Sequence, residues 1–313
     1  MEDIRYCLLS FDHWEADESN KFGEADVPLS GLFNWARIFK GKRAFPRTRA
    51  EFEEFNLIHI NLTTKNMLLL PGVLKNIDRS QTKILINVDY AVDMWKDSFP
   101  YPDAMLEQLD KADYIFGVEP VMCQVLEHRL RRPVAHIPHP VATHVLDAFR
   151  TPQRLNQIGV SIHRYDANFL LPHFSTRDLP NGFQTVAFGS TADKTGLLHL
   201  YDFMKPNTDF KDFIPFVASL YAILESYTLF SYGRLTAEAA FLGVPCVGSP
   251  CVESQSRCFP LLCESNPMKQ RTLLVSLIED QGFYSTVAKY GIEKSEFYSF
   301  DSCANMMRNL LRS

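Results

Sequence analysis

Short apolar segments alternate with stretches of helical periodicity along almost the whole chain, and this alternation restricts the fold more than any other feature. Parallel strands need a crossover connection, which a helix supplies, so a strand–helix–strand succession points to an α/β protein with parallel sheets. In the first half the apolar segments are Arg5–Phe11, Leu57–Asn61, Lys83–Val88, Tyr114–Val118 and Val134–Ile137. Ser30 is placed to cap a helix that carries Leu32, Trp35, Ala36 and Phe39 on one face, and further helices are predicted over Ala104–Lys111 and Val121–Leu130. Residues 139–157 break the rhythm and read as a link between domains. A second series of strands follows at Ile158–Ile162, Thr185–Phe188, Leu200–Phe203, Ala222–Leu224 and Pro245–Gly248. Beyond Pro267 the pattern is helical, over Met268–Glu279, Phe283–Tyr290 and Asp301–Leu311. A chain of 313 residues has room for two such domains.

The segment SYGRLTAEAAFLGVPCVGS, residues 231–249, carries the sharpest local signal. Gly233 lacks a Cβ, so the backbone can turn sharply or approach a ligand there. Leu235, Ala239 and Leu242 recur at helical spacing, Gly243-Val244-Pro245 ends that helix, and Val244–Ser249 reads as a buried strand. Glu238 stands beside the apolar stripe. Read locally, it is either a ligand-binding carboxylate or a charge favoured near the positive end of a helix.

The same segment resembles the donor-nucleotide motif of the retaining family 4 glycosyltransferases, which have the GT-B fold. Their pattern is Glu-Gly-Phe-Gly, four more residues, Glu-Ala, then Gly-x-Pro-Val-Val; Gly233, Glu238, Ala239, Gly243, Pro245 and Val247 fall in register with it. The resemblance extends collinearly to IDRSQTKILINVDYA, LDKADYIFGVEPVMCQVLE, RPVAHIPHPV and the C-terminal helices. It implies an α/β GT-B fold of two Rossmann-like domains with parallel sheets facing a central cleft. The acceptor-side domain would span 1–143, with a helix over about 298–313 packing back on it, and the donor-binding domain 144–297. It also implies a nucleotide-sugar co-substrate, with no cofactor and no essential metal, and transfer to an acceptor that is a glycan, lipid-linked sugar, protein or modified nucleic acid. Glu238 would accept hydrogen bonds from the ribose hydroxyls, with Ser231, Tyr232, Gly233 and Arg234 lining the donor. Arg164 matches the family's phosphate-binding Arg. The family's Lys five residues later falls on Phe169, leaving Lys194 or Arg234 to substitute, and its first Glu falls on Phe230. These departures keep two alternatives open: a GT-B-like binding or assembly protein, and a nucleotide-sugar epimerase.

On the acceptor side, the family's strand-end His falls on Asp89. A carboxylate at the C-terminal edge of a parallel strand faces the region where α/β proteins bind ligands. Asp89 would orient the acceptor, act as a general base or contact the donor; a plain helix cap is the competing reading. His139 and Glu119 stand at two further strand ends, and Gly31 is placed like the family's glycine loop.

Net charge is −5, which argues against a broad nucleic-acid footprint. The N-terminus is acidic where a secretion signal needs basic residues, and no apolar run reaches the length of a membrane span, so a cytoplasmic protein is expected. Cys246, Cys251, Cys258 and Cys263 cluster without any Cys-x-x-Cys pair, and His59, His128, His136, His144, His173 and His199 lack metal-like spacing. These read as packed residues, as does the run Met67–Leu70.

Overall fold

The computed structural model describes residues 4–9, 31–44, 46, 48–62, 70–89, 102–162, 170–189, 198–206 and 210–313. Ser30, Phe11, Arg164, Lys194 and most of the Met67–Leu70 run therefore lie outside the described residues. The chain divides into two compact units, Met1–Pro140 with Phe300–Ser313, and Val141–Ser299.

The first unit is built on a six-stranded sheet of β1 (Tyr6–Leu9), β2 (Lys42–Ala44), β3 (Leu57–Leu62), β4 (Lys83–Val88), β5 (Tyr114–Gly117) and β6 (Ala135–His136). The order is β2-β1-β3-β4-β5-β6 and every pairing is parallel. Such strands are covered on both faces, so they read as continuous apolar runs: in KILINV of β4 only the first residue is exposed. Ile58, Ile60, Ile86 and Phe116 have no exposed surface, and neither has Trp35 from the helix Asn34–Ile38. Strand order reverses between β1 and β3, which makes the C-terminal ends of those strands the ligand-favoured edge of this sheet.

The second unit repeats the principle with β7 (Gln157–Ser161), β8 (Gln184–Phe188), β9 (Phe203–Lys205), β10 (Ala222–Glu225) and β11 (Cys246–Gly248). The order is β11-β10-β7-β8-β9, again all parallel, and the reversal falls between β7 and β10. Helices Phe210–Ser219, Arg234–Leu242, Pro267–Glu279 and Gln281–Ser295 belong to this unit.

Several elements differ from the sequence expectation. Leu200–Phe203 is not a strand: Leu198–Leu200 forms a 3-10 turn and the strand starts only at Phe203. Asp202 explains the offset, because its carboxylate accepts hydrogen bonds from the Thr185 amide (2.7 Å) and hydroxyl (2.8 Å) and holds the chain in a turn there. The first helix begins at Asn34, and its N-cap Phe33 makes no side-chain cap. The link 139–157 contains the short helix Thr143–Leu146 and a 3-10 turn, Asp147–Phe149. Strand β2 and the helices Leu170–Thr176 and Glu253–Cys258 were not predicted. Among the described residues, no helix is long and apolar enough to cross a membrane and no group of three His, Cys, Asp or Glu is arranged to hold a metal.

Candidate functional site

In the second unit the site is assembled at the strand reversal. The Ser226 hydroxyl donates to the Ser161 carbonyl at 2.5 Å, tying the end of β10 to the end of β7. The chain then runs along residues 251–254 in a short extended pairing. Ser231 N–H donates to the Cys251 carbonyl (3.3 Å), Glu253 N–H to the Ser231 carbonyl (2.9 Å) and Ser254 N–H to the Tyr232 carbonyl (3.2 Å). Gly233 closes this run with φ +77°, a left-handed conformation that disfavours side chains. A Cβ there would meet Val252 Cγ1 at 2.2 Å and Ser254 Oγ at 2.4 Å, so only glycine fits.

The helix Arg234–Leu242 starts directly from Gly233, which has no side chain to cap it. The positive end of a helix dipole at such a start suits an anion. No acidic residue lies in that first turn. Glu238 comes later and is 1% exposed. A charge favoured merely by the dipole belongs in the first turn, because the effect fades beyond it. Its depth and position therefore do not match that simpler reading. Gly243 ends the helix at φ +72°, and Gly248 lets β11 pack against Glu225, whose carbonyl would lie 3.2 Å from an added Cβ.

In the first unit Asp89 lies just beyond β4 and pairs with His139, Oδ2 to Nε2 3.1 Å; the histidine is buried and the carboxylate about a third exposed, at 36%. Next to His139, the Pro140 carbonyl accepts from the Gly31 amide (3.2 Å) and from Asn34 Nδ2 (2.9 Å). Asp89, His139 and Gly31 are thus brought together. Glu119 has a different place. Its two carboxylate oxygens accept from the amides of Val121 and Met122, each at 2.7 Å, as the N-cap of Pro120–Leu130. Arg164 and Lys194 lie outside the described residues.

Behind this edge runs a polar row absent from the sequence reading. His59, with no exposed surface, accepts from the Tyr6 hydroxyl at Nδ1 and donates from Nε2 to Asn87 Oδ1 at 2.8 Å; Asn87 Nδ2 donates to Asn61 Oδ1 at 2.9 Å. Burial lowers the His59 pKa to about 3, so the ring is neutral at pH 7 and can play both roles. The register places these groups on one face: Leu8 pairs with His59, and Asn61 with Asn87. Alternating polar residues in otherwise apolar strands, His59 with Asn61 and Asn87 with Asp89, were the available signal.

No protein-family model and no curated protein sequence matches the chain. Solved structures do. Anabaena HepE in complex with UDP and glucose aligns over 99% of this chain and 100% of its own, at 10% identity and a TM-score of 0.69. The sucrose-phosphate synthase from Thermosynechococcus elongatus aligns over 99% and 98%, at 13% identity and a TM-score of 0.67. A putative UDP-N-acetylglucosamine 2-epimerase from Listeria monocytogenes aligns over 99% and 96%, at 13% identity and a TM-score of 0.59. These likenesses, together with the two parallel sheets, establish the fold of the chain as α/β of the GT-B type, with two Rossmann-like units.

Proposed function

We propose that the chain is a glycosyltransferase whose second unit binds a nucleotide-sugar and whose first unit supplies Asp89, His139 and Gly31 for the acceptor. The observation that carries this reading is the Gly233 turn, which admits no Cβ and opens directly into the helix holding the buried Glu238. In this reading Glu238 accepts from the ribose hydroxyls. Ser231, Tyr232, Gly233 and Arg234 lie along the donor, with the helix start facing its diphosphate. Charge develops on that diphosphate as the bond from the sugar C1 to the phosphate oxygen breaks. Backbone amides, assisted by Arg164 and by Arg234 or Lys194, would stabilise it without a metal. The acceptor hydroxyl forms the new bond to C1, and its proton passes to Asp89 or to the departing phosphate oxygen. Retention of configuration and a cytoplasmic location complete the proposal; the seven free cysteines support a reducing compartment.

Calorimetry against UDP, GDP and UDP-glucose tests the donor assignment, and no binding to any of them would reject it. The likeness to the putative epimerase supports a second reading, in which bound UDP-sugar releases UDP without an acceptor. Phe230, in place of the family's Glu, favours a third, in which the protein binds the donor and turns nothing over. Assaying UDP release with and without added acceptor sugars separates the three. With Asp89→Asn, the transferase reading expects turnover to fall by about a hundredfold or more while UDP affinity is unchanged.

A further inference from the structure

Behind the Ser231–Gly233 turn lies a buried ionic cluster to which the preceding mechanism gives no role. Glu253, whose side chain is 6% exposed, pairs with Arg257 (Oε1 to Nε 2.6 Å) and accepts from the hydroxyl of the fully buried Tyr298, 45 residues away in sequence. The Arg257 guanidinium stacks 3.6 Å above the centre of the Phe297 ring, and the Tyr298 ring packs on Tyr232 at 5.5 Å between centroids. Desolvation raises the Glu253 pKa, and the Tyr298 hydrogen bond and Arg257 oppose that shift.

Burying an ion pair contributes little to net stability, because desolvation offsets the attraction; its best-attested use is to fix one geometry among several. The geometry fixed here is that of the turn. Glu253 and Ser254 donate their backbone amides to the carbonyls of Ser231 and Tyr232, and the Ser254 hydroxyl donates to the Gly233 carbonyl at 2.7 Å. An apolar side chain at position 253 would fill the space, but the helix Glu253–Cys258 would be freer to rotate about its axis. The bond from Tyr298 to Glu253 and the stacking of Arg257 on Phe297 both tie this helix to the 3-10 turn Glu296–Tyr298, remove that freedom and aim both amides at the turn.

We infer that Glu253 and Tyr298 are positioning residues for the donor turn, acting through the backbone of residues 231–233 rather than by touching the donor. The inference rests on the donor reading proposed above.

The test compares Tyr298→Phe with Tyr221→Phe. Each removes one tyrosine hydroxyl bond within the second unit. Tyr221 donates to the Leu277 carbonyl at 2.8 Å, just before β10 and at the opposite end of that strand from the donor turn. Tyr298→Phe, which strips a donor from a buried carboxylate, should lose more thermal stability than Tyr221→Phe, so the decisive readout is where the loosening falls rather than its size. Hydrogen exchange of the Ser231, Glu253 and Ser254 amides should speed up about tenfold in Tyr298→Phe and stay at the wild-type rate in Tyr221→Phe. UDP affinity should fall about tenfold in the first variant and be unchanged in the second. Wild-type protection of those amides in Tyr298→Phe, or equal changes in both variants, would overturn the inference. If the wild type binds no UDP, the donor reading fails, and the exchange comparison still decides whether the pair positions the turn.

Discussion

The second unit's candidate site is made mostly of backbone, whereas the first unit's is made of side chains. Around Ser231–Gly233 the hydrogen bonds are, but for the Ser254 hydroxyl, carbonyls and amides laid along residues 251–254, and the residue whose identity is dictated by space is a glycine. Around Asp89, apart from the Gly31 amide on the Pro140 carbonyl, the contacts involve side chains, through His139, Asn34, Asn87 and His59. A backbone-built site tolerates most substitutions but fails where a Cβ intrudes. A side-chain-built site can be altered one group at a time, and each change leaves a buried partner unsatisfied. The first suits a moiety shared by many ligands, the second one that varies.

The largest expected effect tests the backbone half of that contrast. Gly233→Ala must either move Val252 and Ser254 or abandon its left-handed backbone, and should lose about 3 kcal/mol of stability together with nucleotide binding. A variant with the wild-type denaturation midpoint and UDP affinity would break the contrast.

Next comes the side-chain half, through pH. Unfolded His59 titrates near 6.5, while burial lowers the folded value to about 3. Between those values the unfolded chain binds the extra proton. The stability associated with neutral His59 is therefore complete above about pH 6.5 and is lost as pH falls toward 3, by about 1.4 kcal/mol per pH unit. Denaturation curves of the wild type and His59→Gln should converge or cross as the pH is lowered through this window; parallel dependence on pH would show that the histidine is not buried neutral.

Glu238→Gln should weaken nucleotide binding by about 1.5–3 kcal/mol with little change in folding, measured by paired titrations and melts. Equal affinities would leave a donor site made of backbone alone and sharpen the contrast between the two units. The smallest effect is expected from Asn34→Ala, which removes one donor to the Pro140 carbonyl and should cost about 1 kcal/mol in chemical unfolding. A loss several times larger would mean that the first unit's edge depends on this single bond far more than on its neighbours.

The same contrast explains what could be read from sequence. The second unit's turn announces itself because a position without room for a Cβ must be glycine, and Gly233, Gly243 and Pro245 punctuate one continuous stretch. The strands of both sheets were legible for a related reason, since burial on two faces leaves runs such as KILINV. Strand β2, Lys-Arg-Ala, carries no such run; its pairing with β1 defines it, and that contact is not local. Nor does any local pattern join Glu253 to Tyr298, or Tyr6 to His59, because those bonds exist only once distant elements have packed. Glu119 shows the converse: a carboxylate at a strand end invites a ligand role, and the structure spends both of its oxygens on the helix that follows.

The Val141 amide donates to the Tyr298 carbonyl at 2.8 Å, and Val141 bridges Ser299 in parallel. The first and last residues of the second unit are therefore neighbours, and the chain enters and leaves that unit at one point. A module with adjoining ends can be spliced into a host sequence as a single insert with little disturbance at the splice, because the host needs to bridge only a short gap. By the same logic, Val141–Ser299 is the segment to express alone, and Pro140 and Phe300 are the positions to rejoin with a brief linker when the surrounding unit is made without it.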